Sequence, residues 1–91
     1  MAKLNKDEFI KRLLFNCGND DTCIPFFIGL RIYEALEQRD IQAKELAEQA
    51  DISVSTLLNI MYAKTISSII NICKIADALN VSVDWIVGWK G

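Results

Sequence analysis

Between Glu45 and Ile60 two short helical patterns meet across Asp51-Ile52-Ser53, a connection too tight for a loop. Leu46, Ala47 and Ala50 sit at helical spacing before the turn, Ile52 falls within it, and Leu57 and Ile60 continue the same apolar stripe after it. Two helices joined this tightly are how a small α-domain offers one helix to a DNA groove. The helix so offered, Val54 to Met61, carries Ser55 and Asn59 but no Arg or Lys. Whatever it meets, it meets through uncharged donors and acceptors and through apolar atoms.

Other chemistry finds little to work with. The chain has no histidine for general-base work, no Gly-rich phosphate loop, and no activating base near any of its cysteines in sequence. Cys17, Cys23 and Cys73 are an odd number at no metal-ligand spacing, and without histidine they do not complete a usual four-ligand zinc site within one chain. They are expected to be reduced packing residues, with no structural disulfide, metal or cofactor. The chain is read as a binding protein rather than an enzyme.

The elements that must position this helix can be read from composition and pattern. A chain of 91 residues that is 52% hydrophobic, with one Pro and four Gly, has material for one compact helical core. Apolar runs such as Ile24 to Leu30 are too short to span a bilayer. Lys3, Lys6, Asp7 and Glu8 occupy the place where a signal peptide would need its apolar region. A cytoplasmic protein without membrane contact is expected. Residues 1–27 carry four basic and four acidic groups, and residues 28–91 carry six and eight, for the overall charge of −2. DNA-binding domains usually have a basic surplus, because affinity comes largely from neutralising phosphates, so that contribution must be weak or very local here.

Asn5, followed three residues later by Glu8, is a variant of the capping box, with Leu4 and Phe9 placed as a hydrophobic staple. A helix should therefore start near Lys6. Its apolar side is Phe9, Ile10, Leu13, Leu14 and Cys17, with Lys11 and Arg12 on the other side, and Gly18 stops it. After the polar connector Asn19-Asp20-Asp21-Thr22, Pro25 fits the first turn of a helix running to about Arg39. Further helices are expected over about residues 42–50, 54–62 and 68–79, the last with Ile69, Ile72, Cys73, Ala76 and Leu79 inward. A short final helix opens at Ser82 as N-cap, carries Val83, Trp85 and Ile86, and ends at Gly88.

From Ile28 to Gly88 the chain resembles, without gaps, the phage Cro and repressor family of helix-turn-helix domains, also called the xenobiotic-response-element family. Ile28-Gly29 with Arg31-Ile32 looks like its first helix, Lys44-Glu45-Leu46-Ala47-Glu48 like its second, and Ile52-Ser53-Val54-Ser55-Thr56-Leu57 like the turn and recognition helix. Lys74-Ile75-Ala76-Asp77-Ala78-Leu79-Asn80-Val81-Ser82-Val83-Asp84-Trp85-Ile86-Val87-Gly88 looks like the last two. The resemblance implies an all-α, lambda-repressor-like five-helix DNA-binding domain over residues 28–91. Residues 1–27 would form an additional N-terminal amphipathic helix and connector. It also implies a homodimer on a near-palindromic stretch of double-stranded DNA.

Mapped by that resemblance, Val54, Ser55 and Asn59, with Leu58 beside them, are the base-reading candidates. Asn pairs a donor and an acceptor with adenine, Ser bonds to several base edges, and Val touches a thymine methyl. Gln42, Lys44, Ser53, Lys64 and Thr65 are the phosphate-side candidates, enough for about two or three neutralised charges per subunit and a modest salt dependence. Where the family usually has Gln early in its second helix this chain has Ala43, with Gln42 one place earlier, and its usual turn Gly is Asp51. Asp tolerates left-handed backbone better than most residues. The family's Arg and Glu pair is Leu36 and Met61 here, a paired exchange for apolar side chains that is often neutral or stabilising.

These observations lead to the expectation of a sequence-specific DNA-binding transcriptional regulator, repressor-like and of bacterial or phage-like origin. The alternative is a helix-turn-helix scaffold acting as a protein-interaction module, antirepressor-like or antitoxin-like. It would use an apolar strip of Val54, Leu58, Met61 and Tyr62 for a protein partner.

Overall fold

A computed structural model describes residues 5–20, 23–65 and 68–88, and within them the ordered elements are all helices. They are α1 (Lys6–Asn16), α2 (Ile24–Arg39), α3 (Ala43–Ala50), α4 (Val54–Met61), α5 (Ile69–Leu79) and α6 (Val83–Val87). The five-helix arrangement α2 to α6 thus has one extra helix before it. No helix among the described residues is long and apolar enough to cross a membrane.

The helix ends obey local chemistry. Asn5 caps α1, its side chain accepting hydrogen bonds from the backbone N–H groups of Asp7 and Glu8. Leu4, the other half of the expected staple with Phe9, lies outside the described residues. Ser53, Ser68 and Ser82 cap α4, α5 and α6 in the same way, each accepting from the N–H three residues on. Pro25 sits in the first turn of α2, where its missing N–H has no partner to lose. Asp40, Asp51 and Asn80 end α2, α3 and α5 in left-handed conformation, with φ of 51°, 57° and 57°. The next residues along, Ile41, Ile52 and Val81, donate back to the carbonyls of Leu36, Ala47 and Ala76.

The longest helix, α2, is the hub, packing on α1, α4 and α6, while α3 lies against α4 and α5. One apolar core joins Phe9 and Leu13 of α1 to Ile32 and Leu36 of α2, Leu46 of α3, Leu57 and Met61 of α4, Ile75 of α5 and Ile86 of α6. Burying a side chain of this size is worth about 1.5–3 kcal/mol, so α1 is an integral part of the fold. Phe9 stacks on Tyr33 with ring centroids 4.5 Å apart, and it meets Tyr62 at 5.1 Å. Also on α2, the Arg31 guanidinium lies 5.1 Å from the centre of the Trp85 ring, and at the C-terminal end Arg39 donates to the Leu79 carbonyl at 2.7 Å.

Two positions expected inside α5 face out instead. Cys73 is exposed, because the side of α5 that the neighbouring helices cover is the one with Ile72, Ile75, Ala76 and Leu79, and Cys73 lies beyond its edge, nearly opposite Ile75. Ile75 takes its place, fully buried between Ile72 and Leu79 in the chain. Ile69, the first residue of α5, is 67% exposed and rims a groove rather than entering the core.

Candidate nucleic-acid interface

The geometry between α3 and α4 is set by three adjacent residues. Asp51 turns left-handed, Ile52 is half-buried with its N–H on the Ala47 carbonyl at 3.0 Å, and Ser53 opens α4. The Ser53 hydroxyl accepts from the Thr56 N–H at 3.0 Å and donates to Thr56 Oγ1 at 2.7 Å. Its one proton is therefore committed within the protein, and the residue fixes the start of the helix. The connection is as short as the sequence pattern requires, so α4 is held rigidly against α3.

With Leu57, Ile60 and Met61 of α4 buried, the opposite side of the helix carries Val54, Ser55, Leu58 and Asn59. Val54 and Ser55 are exposed, and Leu58 and Asn59 are half-buried. The spacing of four residues puts Val54 above Leu58 and Ser55 above Asn59, giving an apolar row beside a polar one. No formal charge lies anywhere on this helix. A surface of this kind reads a partner by hydrogen bonding and methyl contact, and leaves charge neutralisation to residues around it.

The phosphate-side candidates are spread over three places. Gln42 is the N-cap of α3, exposed and making no capping hydrogen bond through its side chain, and Lys44 comes next on the exposed side. Lys64 lies just past the C-terminal end of α4, its N–H held by the Asn59 carbonyl at 2.9 Å. Thr65, although adjacent, lines a different groove, the apolar one between α2 and α5 formed with Ile24, Pro25, Ile28, Ile60, Ile69, Ile72 and Val87.

The expected four-residue apolar strip is not on the surface as such. Met61 is fully buried, and Tyr62 is half-buried against the ring of Phe9. The i, i+4 spacing from Val54 through Leu58 to Tyr62 is real, but α4 ends at Met61, and α1 packs across that end against Tyr62. Val54 is exposed and Leu58 and Tyr62 are half-buried, with no surface at Met61 to join them into a strip.

Pattern reading also missed a juxtaposition. Lys11 and Arg12, expected only on the outer side of the first helix, line an open groove of about 390 Å³ together with Phe15, Asn16, Tyr62 and Lys64. Asn16 Nδ2 donates to the Tyr62 carbonyl at 2.7 Å, tying the end of α1 to the end of α4. Nothing in the periodicity of either helix signals this, since it depends on where α1 crosses the domain.

The three cysteines are free, with Cys17 and Cys23 half-buried. Burial, together with the hydrogen bond and charge of Cys23 and the charge of Asp20, pushes the Cys17 thiol up to about 11. Such a thiol is a poor nucleophile near neutral pH.

Comparison with known families finds that residues 32–86, more than half of the chain, match the helix-turn-helix family model. No curated relative and no solved structure matches the chain.

Proposed function

The chain belongs to the Cro/repressor-type helix-turn-helix family, a family of DNA-binding transcription regulators, and from that premise we propose that it is a sequence-specific, repressor-like regulator of bacterial or phage-like origin acting in the cytoplasm. Residues 28–91 are its DNA-binding domain. α4 enters the major groove, where Asn59 and Ser55 bond to base edges and Val54 and Leu58 make methyl contacts. Gln42, Lys44 and Lys64 hold the phosphates beside the groove, and Ser53 contributes by capping the helix that reads the bases. Binding itself is the mechanism, by occlusion or recruitment at an operator.

The observation that carries this reading is the two-sided character of α4. Its buried side is locked by Leu57, Ile60 and Met61, and its outer side presents Val54, Ser55, Leu58 and Asn59 from a capped start. The burial of Met61 and the packing of Tyr62 against Phe9 break the continuous strip that an interaction module would have used, which favours DNA as the partner. We further propose a homodimer. Ile24, Ile69 and Ile70, exposed to 52%, 67% and 65%, supply the apolar surface such an interface needs.

Selection of bound sequences from random duplex DNA, at low and moderate salt, tests both statements. Enrichment of a palindrome is expected. Recovery of no preferred sequence at either salt would overturn the reading.

A further inference from the structure

The family domain has a deficit of positive charge, six basic groups against eight acidic over residues 28–91, yet a duplex presents a phosphate every few ångströms. The helix that precedes the domain offers a remedy. Lys11 and Arg12 of α1 converge with Lys64 on one groove, and no carboxylate lines it. Among the described residues none of these three cations is in an ion pair, whereas Lys6 at the start of the same helix is engaged by Glu37 at 3.9 Å. The carboxylates of α1, Asp7 and Glu8, stand one helical turn before Lys11 and Arg12, at the spacing of neighbours on one face, yet among the described residues they neither pair with them nor line the groove.

The groove is fixed relative to α4. Tyr62, which forms one wall, is the C-cap of α4, and it is held from the α1 side by the Asn16 hydrogen bond at 2.7 Å and by the ring of Phe9. Lys64 is held by the carbonyl of Asn59, one of the base-reading candidates. The backbone positions that carry Lys64 and the α1 cations are thus set by packing, beside the C-terminal end of α4.

Resting on the DNA-binding reading above, we infer that α1 is part of the nucleic-acid interface, with Lys11 and Arg12 joining Lys64 to grip the phosphodiester backbone flanking the groove that α4 enters. The sequence-independent share of affinity comes from outside the family domain, and α4 is free to remain uncharged. Phosphate contacts of this kind position the protein without selecting sequence. An acidic protein segment would satisfy the same cations; their place beside the C-terminal end of α4 favours DNA on the reading above.

The test uses the full chain and the duplex recovered by selection, comparing wild type with the double variant Lys11→Gln, Arg12→Gln. Both residues are exposed, and matching helicity and melting temperature confirm that the fold is kept. Losing two phosphate contacts should make the slope of log affinity against log salt shallower by about 1.8, so that raising salt from about 50 to 200 mM weakens the wild type about 12-fold more than the variant. The ranking of operator sequences should not change. Charge reversal, Lys11→Glu with Arg12→Glu, should lower affinity further. Equal slopes and affinities in wild type and Gln variant would overturn the inference while leaving the DNA-binding reading in place, as would a loss of affinity with an unchanged slope. Failure of the wild type to bind any duplex at low salt would overturn both.

Discussion

Gly29 and Met61 meet backbone to backbone. A side-chain carbon on Gly29 would overlap the carbonyl oxygen of Met61, and it would stand only 3.1 Å from Cδ1 of Leu13. The backbone of Gly29 is ordinary helix, so what the residue supplies is the absence of a side chain. Three helices, α1, α2 and α4, converge on that one position, and the close approach lets α4 seat its Leu57, Ile60 and Met61 face while α1 reaches the end of the same helix.

Gly29→Ala should therefore be destabilising, although alanine is otherwise the better helix former. The obstacle is backbone, which has no rotamer by which to move aside. The cost should lie at or above the upper end of the ~1–3 kcal/mol typical of overpacked cores. Thermal or denaturant unfolding checks it, and a variant as stable as wild type would show that α2 and α4 can separate freely.

Leu36 and Met61 are both buried in the one core, at the positions where related domains usually carry an Arg and Glu pair. Met61→Glu alone should cost about 3–5 kcal/mol, because it leaves a buried carboxylate uncompensated. Adding Leu36→Arg should recover much of the loss, and the double-mutant cycle measures the coupling. Additive losses would mean that the two sites do not face each other.

The N-terminal helix should be indispensable to stability. Phe9 and Leu13 are exposed to 1% and 0%, so Phe9→Ala should cost about 3–5 kcal/mol, and deletion of residues 1–18 should lower the melting temperature sharply. A truncated protein with unchanged melting temperature and mass would show the helix to be an appendage. Because the same deletion removes Lys11 and Arg12, its effect on DNA affinity carries information only after folding has been measured.

Much of this fold was legible in local chemistry. Asn5, Ser82 and Gly88 mark helix ends because a side-chain acceptor or a missing side chain acts on the nearest turn, and Asp51 could be read as a left-handed turn for the same reason. What escaped was decided by packing between elements. Cys73 and Ile75 are both compatible with an apolar stripe on α5, and only the position of the neighbouring helices selects Ile75. Met61 and Tyr62 read as continuing a surface strip, because the sequence of α4 does not reveal that α1 lies across its end. The outward residues of α4 can be placed by spacing once Leu57 and Ile60 are taken as core, whereas the meeting of Lys11 and Arg12 with Lys64 depends on a crossing more than forty residues away in the chain.

The cysteines should differ in reactivity. Cys73 is exposed and should be alkylated first, whereas Cys17, pushed up to about 11 mainly by burial and by its neighbour Cys23, should stay protonated and slow through pH 8 to 9. A thiol raised in the folded state stabilises that state below its unfolded value and loses the effect as pH climbs through the folded one. Stability should accordingly fall between about pH 9 and 11, and Cys17→Ser should flatten that part of the curve. Equal alkylation rates at Cys17 and Cys73, monitored by mass spectrometry at pH 8, would contradict the assignment.

The outer face of α4 and the cations around it should separate cleanly in their effects on DNA. Asn59 is half-buried on the polar row beside Ser55, and an amide reads one adenine through a paired donor and acceptor. Asn59→Ala should therefore cost about 1–3 kcal/mol at one base pair and relax the preference there, leaving other positions unchanged. Lys64, exposed just beyond the helix, touches no base in this arrangement. Lys64→Ala should weaken every sequence alike and make the salt slope shallower by about one. Leu58→Asp discriminates poorly, since a new carboxylate repels phosphates and spoils an apolar protein contact alike. The informative comparison is Asn59 against Lys64, measured on the selected operator and on single-base variants of it. If instead α4 docked a protein, Lys64→Ala would change little, because a rim charge contributes little beside a buried apolar anchor. A sequence-selective effect at Asn59 together with a sequence-blind one at Lys64 can arise only if α4 lies in a groove of the duplex with Lys64 on its edge.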